Sequence, residues 1–195
     1  MKMSFFKRAM AQLIDLFIVG IIIGIVSMGF STTRVEKLDE QLYDVMDSYV
    51  EGEVSIKEYI GSYIDIMYDR MQASTINNLV YLVVCVGYFL IFQFLNKGAT
   101  IGKKLLGIRV VSYDGSDVSF LQMFIRTSII NEIITMAMIL ILVMVSSGVT
   151  FFVFYNIISF IENIFVIICI FMVLYRGDGL GLHDIMIRSM VIDSK

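Results

Sequence analysis

The stretch Phe6-Lys7-Arg8-Ala9-Met10-Ala11-Gln12-Leu13-Ile14-Asp15, running on into the apolar segment Leu16 to Phe30, decides the fold. From Ala9 to Phe30 a helix rising 1.5 Å per residue extends about 33 Å, enough to cross a hydrocarbon core of about 30 Å. The run is too long for a signal-peptide core, carries Asp15 and lacks a small-x-small cleavage pattern, so it reads as a retained membrane helix. Arg8 and Asp15 are almost two helical turns apart and project from one face. A charge inside the apolar run costs about 2.5–3.5 kcal/mol on insertion scales. A partner for Asp15 is therefore the first thing to seek.

Composition widens that reading to the whole chain. Of its 195 residues 58% are hydrophobic and 17% charged, and the mean hydropathy is +0.84. A soluble domain carries about 25% charged residues, so the composition is that of a polytopic membrane protein. There is no Pro, which leaves Gly and Ser to break helices. Cys85 and Cys169 both lie in apolar runs and read as packing residues.

Working outward, residues 31–76 break the hydrophobic pattern. Thr33 with Glu36, and Ser55 with Glu58, have the spacing of capping boxes. Each is followed by apolar residues at helical intervals, so the segment is expected to be a helical hairpin. Its polar surface is acidic, with ten Asp or Glu against Arg34, Lys37, Lys57 and Arg70. Membrane-surface helices are normally basic on the polar face. A packed, solvated hairpin is thus preferred over one lying on the bilayer. A second span is expected over 77–95, a polar connection over 96–122, a third span over 126–145 and a fourth over 151–175, with a tail at 176–195. Ile108 to Tyr113 has the character of a short extended piece. Gly98 to Lys104 superficially has the look of a phosphate loop, but the glycine spacing is one residue short and Lys104 stands where Ser or Thr is needed.

The expected fold is thus an all-α polytopic membrane helix bundle, with four transmembrane helices and an extracytoplasmic helical hairpin between the first two. Eleven of the 15 Lys and Arg fall in the N-terminus, the 96–126 region and the tail, and none near Ser146. By the positive-inside rule both termini are cytoplasmic and the hairpin is outside.

Three carboxylates fall within expected spans. Asp15 and Glu132 each lie about 9 Å from the cytoplasmic end, and Glu162 about 20 Å in, nearer the midplane. Asn131 and Asn163 adjoin the two glutamates. Intramembrane ionisable groups mark functional sites by default. The competing reading is architectural. Arg8, Arg126 and Arg109 reach in from the interface to pair with Asp15 and Glu132, and Asp184 holds another of these arginines from the tail. No basic residue lies near Glu162. It is left with protonation, a hydrogen bond to Asn131 or Asn163, or a bound cation. Glu162, Glu132, Asn131, Asn163 and Asp15 form the candidate ion or proton site. Arg8, Asp15, Arg126, Asp184 and Arg109 form the candidate structural cluster. His183 lacks companions spaced for a metal. No catalytic arrangement, cofactor or metal is expected, and no nucleic-acid partner.

These motifs resemble the RDD family of bacterial membrane proteins, named for an Arg and two Asp. That family opens with a basic residue or pair and an Asp seven residues on, here Lys7-Arg8 and Asp15. After the second span it has a Thr-x-Gly-Lys-x-x-x-Gly-x-x-Val-Val pattern. Here Thr100-Ile101-Gly102-Lys103 leads to Gly107 and then Val110-Val111. An Arg opens the next helix, matching Arg126. Leu182-His183-Asp184 matches the closing motif, followed by Ser189 where the family usually has Thr. The 31–76 hairpin is longer than the resemblance leads one to expect. The resemblance implies a bacterial plasma-membrane protein that transports a small solute, with cation–proton exchange proposed for some members. The alternative it implies is a non-transporting accessory or regulatory subunit. The expected partners are the lipid bilayer and either further copies of the chain or a neighbouring membrane protein.

Overall fold

The computed structural model describes residues 4–30 and 32–194. Ser31, at the start of the expected hairpin, and Lys195, at the end of the tail, lie outside the described residues. Helix α1 (Phe5–Ser27) is followed by α2 (Thr33–Val50) and α3 (Ile56–Ala73), then by α4 (Thr75–Leu95). A short helix α5 (Ile101–Leu105) leads into strand β1 (Ile108–Ser112). Helices α6 (Phe120–Ile130) and α7 (Ile133–Val145) precede the long α8 (Gly148–Tyr175). A last short helix, α9 (Leu182–Met186), ends in strand β2 (Ser189–Asp193).

Helices α1, α4 and α8 are long and apolar enough to cross a membrane. The α6–α7 pair passes the same test only as one span, bent by 69°. The chain is thus mostly helical, with three candidate spans or four if the bent pair counts as one. In the most apolar window of α8 only 11% of residues are buried inside the protein. The rest of that surface is suited to lipid.

Two expectations need correction. The bundle is not all-α: β1 and β2 pair antiparallel, with Val110 opposite Val191 and Ser112 opposite Ser189. The β-branched run Ile108-Arg109-Val110-Val111 suits a strand, but its partner lies 80 residues on, beyond local pattern. The third span is not one helix over 126–145. Helix α6 starts six residues earlier, at a Ser119–Gln122 capping box, and stops before Asn131. Glu132 then takes a left-handed backbone, φ 56°, which a non-glycine residue adopts rarely.

The hairpin forms. Ser55 caps α3 through a capping box with Glu58. The first cap is shifted by one residue: Thr33 is already helical, and the Thr32 hydroxyl donates to Glu36 at 2.7 Å. An Arg70–Asp39 ion pair at 2.5 Å and a Tyr49–Tyr59 stack show α2 and α3 running antiparallel. The Tyr68 hydroxyl donates to the Ser146 carbonyl at 2.6 Å, so α3 is docked on the α7–α8 turn. That turn and the hairpin share one end of the bundle, and the sheet lies at the other.

The sheet end is built on two close approaches. Gly98 has φ +86°, and its carbonyl accepts from the Val110 N–H at 3.0 Å. A Cβ there would lie 2.1 Å from the Val110 oxygen. At Gly102 a Cβ would lie 2.3 Å from the Ala11 carbonyl oxygen. Only glycine lets α5 rest directly on the backbone of α1. Around this contact Ala11, Leu90, Ile108, Val110, Met123 and Val191 pack into one buried core.

Candidate functional site

Asp184 is the centre of the polar cluster at the sheet end, with its side chain 0% exposed. Two of the three arginines of the expected cluster come to it. Arg8 donates to Oδ2 at 2.6 Å, and Arg126 donates to Oδ1. The Gly181 N–H adds a bond to Oδ2 at 3.1 Å. Arg8 also donates to the Gly179 carbonyl at 2.7 Å, and Arg126 to the Ser189 hydroxyl at 2.9 Å. Burial would raise the Asp184 carboxyl; Arg126, His183 and Arg8 outweigh it and hold the group well below the ordinary carboxylate range. The tail, α1 and α6 are thus joined through one carboxylate.

Asp15 is not paired with any of these arginines. It is fully buried, and its partners are neutral. The Tyr88 hydroxyl donates at 2.6 Å, the Thr100 hydroxyl at 2.5 Å and the Gly102 N–H at 2.7 Å. The expected Asp15–Arg pairing is therefore replaced by a three-donor cradle. The physical reason is the tight α1–α5 contact, which brings backbone and short side chains to Asp15 before any arginine can reach it. A π-helical turn at Val86–Phe92 serves the same end. Its wider turn rotates successive side chains by less than the usual 100° or so. Tyr88, Phe89 and Leu90 are accordingly all buried in succession. Thr100 has a second task, capping α5 by accepting from the Lys103 N–H.

Arg109 lies outside the cluster. Its side chain pairs with Asp117 at 2.7 Å on the exposed side of the sheet, because strand alternation turns Ile108 and Val110 inward and Arg109 the other way. Lys103, to which sequence reasoning gave no role, stands close to the cluster. Burial lowers its ammonium to a pKa of about 7, helped by Arg126 and opposed by Asp15. Lys103, Arg8, Arg126 and His183 line a cavity of about 190 Å³ that continues past Gln12 to Asn131. Tyr88 and Thr100 were also missed. The Thr-x-Gly-Lys motif contained two of the three, but spacing alone does not say what a motif touches.

At the far side of the cavity the chain breaks. The Asn131 side chain accepts from the Gln12 amide at 2.9 Å, while Ser128, just before it, has a buried hydroxyl without a partner among the described residues. Glu132 is exposed at the break of the bent α6–α7 pair, at the N-terminus of α7, where the helix dipole favours a carboxylate. Glu162 on α8 is half-buried and bonds Thr135 of α7, one turn beyond the break. It bonds neither Asn131 nor Asn163; the Asn163 amide turns back to the Ser159 carbonyl at 2.7 Å on an exposed face. Glu132 lies within electrostatic reach of Glu162, Tyr81 and Cys85 across this region. The expected ion site is thus divided. Glu132 and Glu162 come together, Asn131 belongs to the cavity, Asp15 to its own cradle and Asn163 to the outer surface. Among the described residues no cluster of His, Cys, Asp or Glu is arranged to hold a metal.

Membrane-length apolar helices around a buried Arg–Asp–Arg cluster define a multi-pass membrane protein. The chain belongs to the RDD family, which it matches over residues 3–188. Arg8, Asp15, Arg126 and Asp184, which carry the resemblance, all lie within the cluster and its adjoining cradle. No curated protein and no solved structure matches the chain.

Proposed function

We propose that this RDD-family protein carries a small solute or cation across the membrane, with proton movement linked to Glu132 and Glu162. The observation that supports this most is the break at Asn131–Glu132 within a candidate span. Ending one helix and starting another leaves backbone N–H and C=O groups without helical partners. At membrane depth such irregular backbone is tolerated where it is buried in protein or lines a water-filled cavity. Broken helices beside ionisable groups are a recurring way to build a solute site. Here a cavity reaches one side of the break and two carboxylates flank the other.

The distribution of Lys and Arg supports an orientation with both termini and the sheet end in the cytoplasm of a bacterial cell, and the hairpin outside. The largely unburied α8 supports assembly with further copies, since a four-span chain is small for a complete pathway.

The test is proton flux into liposomes holding a pH-sensitive dye, driven by sodium or potassium gradients. Wild type is expected to move protons, and Glu162→Gln and Glu132→Gln to lower the rate about tenfold or more, in keeping with loss of a proton-transfer group. Equal flux in wild type and both variants removes the carboxylates from any transport role. One observation favours the alternative of an accessory subunit. The hairpin presents exposed Tyr43, Met46 and Val50 beside many acidic residues, a surface suited to a partner protein. Loss of a co-purifying partner on deleting residues 34–72 would support that reading.

A further inference from the structure

The cavity at the sheet end holds more positive charge than its neighbours use. Three cations, Arg8, Lys103 and Arg126, face two carboxylates, Asp15 and Asp184. Both carboxylates are fully engaged. Asp184 takes the two arginines, the Gly181 N–H and His183 Nε2 at 3.4 Å, and Asp15 takes Tyr88, Thr100 and Gly102. No hydrogen bond or ion pair to the Lys103 ammonium is formed among the described residues, although Lys103 lines the cavity. His183, 6% exposed, lines it too, with its Nδ1 unpartnered among the described residues. Among the described residues no carboxylate lines the cavity, and its remaining wall is largely apolar, including Val166 and Ile170 of α8.

An ammonium confined beside two guanidinium groups is costly unless something offsets its charge. We propose that this cavity binds a singly charged oxyanion, a carboxylate or phosphate group on a short apolar body, held by the Lys103 ammonium with the Arg8 and Arg126 guanidinium groups behind it. The anion neutralises the one surplus formal charge and gives Lys103 the charge-assisted bonds it lacks. Two sources share this chemistry: a free small organic anion and the phosphodiester of an anionic lipid. The site stands whether or not the protein transports, because its measurement is equilibrium binding and needs no gradient.

Binding carries a pH signature. The groups facing Lys103 are Arg8 and Asp15 from α1, Arg126 from α6, and His183 and Asp184 from α9. With its pKa lowered to about 7, Lys103 is protonated below that value and neutral above it in the empty site. Affinity therefore falls as pH rises through about 7, approaching tenfold per pH unit.

The experiment uses the full chain in phosphatidylcholine nanodiscs, with radiolabelled butyrate or phosphate in one arm and phosphatidylglycerol mixed into the discs in the other. Scintillation proximity reads the soluble anions, and native mass spectrometry counts retained phosphatidylglycerol. Saturable binding in either arm is expected. Lys103→Met should weaken it about ten- to a hundredfold, the range for a charged hydrogen bond. Lys103→Arg should keep it while removing the pH dependence. Among the described residues the Lys103 ammonium holds no other side chain in place, so the Met variant keeps the contacts of the fold and is a fair test. Butyrate or phosphate binding points to a free anion, and phosphatidylglycerol retention alone to lipid. Binding by Lys103→Met equal to wild type, or no binding in either arm, overturns the proposal. Anion binding without gradient-driven flux would leave this site standing and remove the transport reading; flux without anion binding would do the reverse.

Discussion

Replacing Asp184 by Asn keeps the shape of the side chain and removes the charge on which two arginines converge. Arg8 is 12% exposed at its side chain, Arg126 4% and Asp184 0%, so water cannot take over the role of the lost carboxylate. The cluster's formal charge rises from one positive to two, with both guanidinium groups still held in place by Gly179 and Ser189. Breaking a buried ion pair from one side costs about 3–5 kcal/mol, mainly because a charge is left buried and uncompensated. For a chain of this size, about 2–4 °C per kcal/mol converts that to a fall in Tm of about 6–20 °C. The assay is thermal melting of detergent-solubilised protein followed by size-exclusion chromatography. Adding Arg126→Met to Asp184→Asn removes one of the stranded cations and should recover part of the loss. The sign with pH is also determined. The Asp184 carboxyl is depressed in the folded state, so its contribution is complete above the ordinary range of about 3.9 and is lost as pH falls below it. The wild type should lose Tm through that acid range more steeply than Asp184→Asn. A variant melting within about 2 °C of wild type would refute the view that this carboxylate ties the bundle end together.

Further outcomes follow from single contacts. Gly102→Ala places a methyl 2.3 Å from the Ala11 carbonyl oxygen and 2.8 Å from Asp15 Oδ1; separating α1 from α5 should cost about 1–3 kcal/mol, as overpacking does. An unchanged melting curve for that variant would mean that α5 does not rest on α1. Tyr68→Phe removes the bonds to the Val143 and Ser146 carbonyls and should cost about 1–2 kcal/mol. Anion binding at the opposite end of the bundle should stay at the wild-type level in Tyr68→Phe, and a change there would contradict the separation of the two ends.

The pairing of residues was less legible than their importance. Arg8, Asp15, Arg126 and Asp184 stand out in the sequence because charges in or beside apolar helices need partners. Which carboxylate each arginine would choose was not readable. Asp184 draws both because α9 brings it between α1 and α6, and Asp15 draws neither because Gly102 admits the backbone of α5 first. Glu132 was placed six residues into a span by counting from Arg126. The helix is not continuous there: α6 runs from Phe120 to Ile130, and no Gly or Pro announces its end. Strand β2 was missed for a similar reason. Ser189 to Asp193 is too short to declare itself, and its pairing energy comes from a strand far away in the chain.

By itself the sequence determined that this chain is a multi-pass membrane protein with a helical hairpin after its first span, and which charged residues need an explanation. Hydrophobic length and helical periodicity are local properties, and the bilayer as solvent makes them decisive. Only the tertiary structure decided that Arg8 and Arg126 share Asp184, that neutral donors hold Asp15, and that the third candidate span is broken at Glu132. It also decided that Lys103 lines a cavity without a partner among the described residues. Those outcomes depend on which helix backbones can approach within hydrogen-bonding distance, and that is settled by packing between segments remote in sequence.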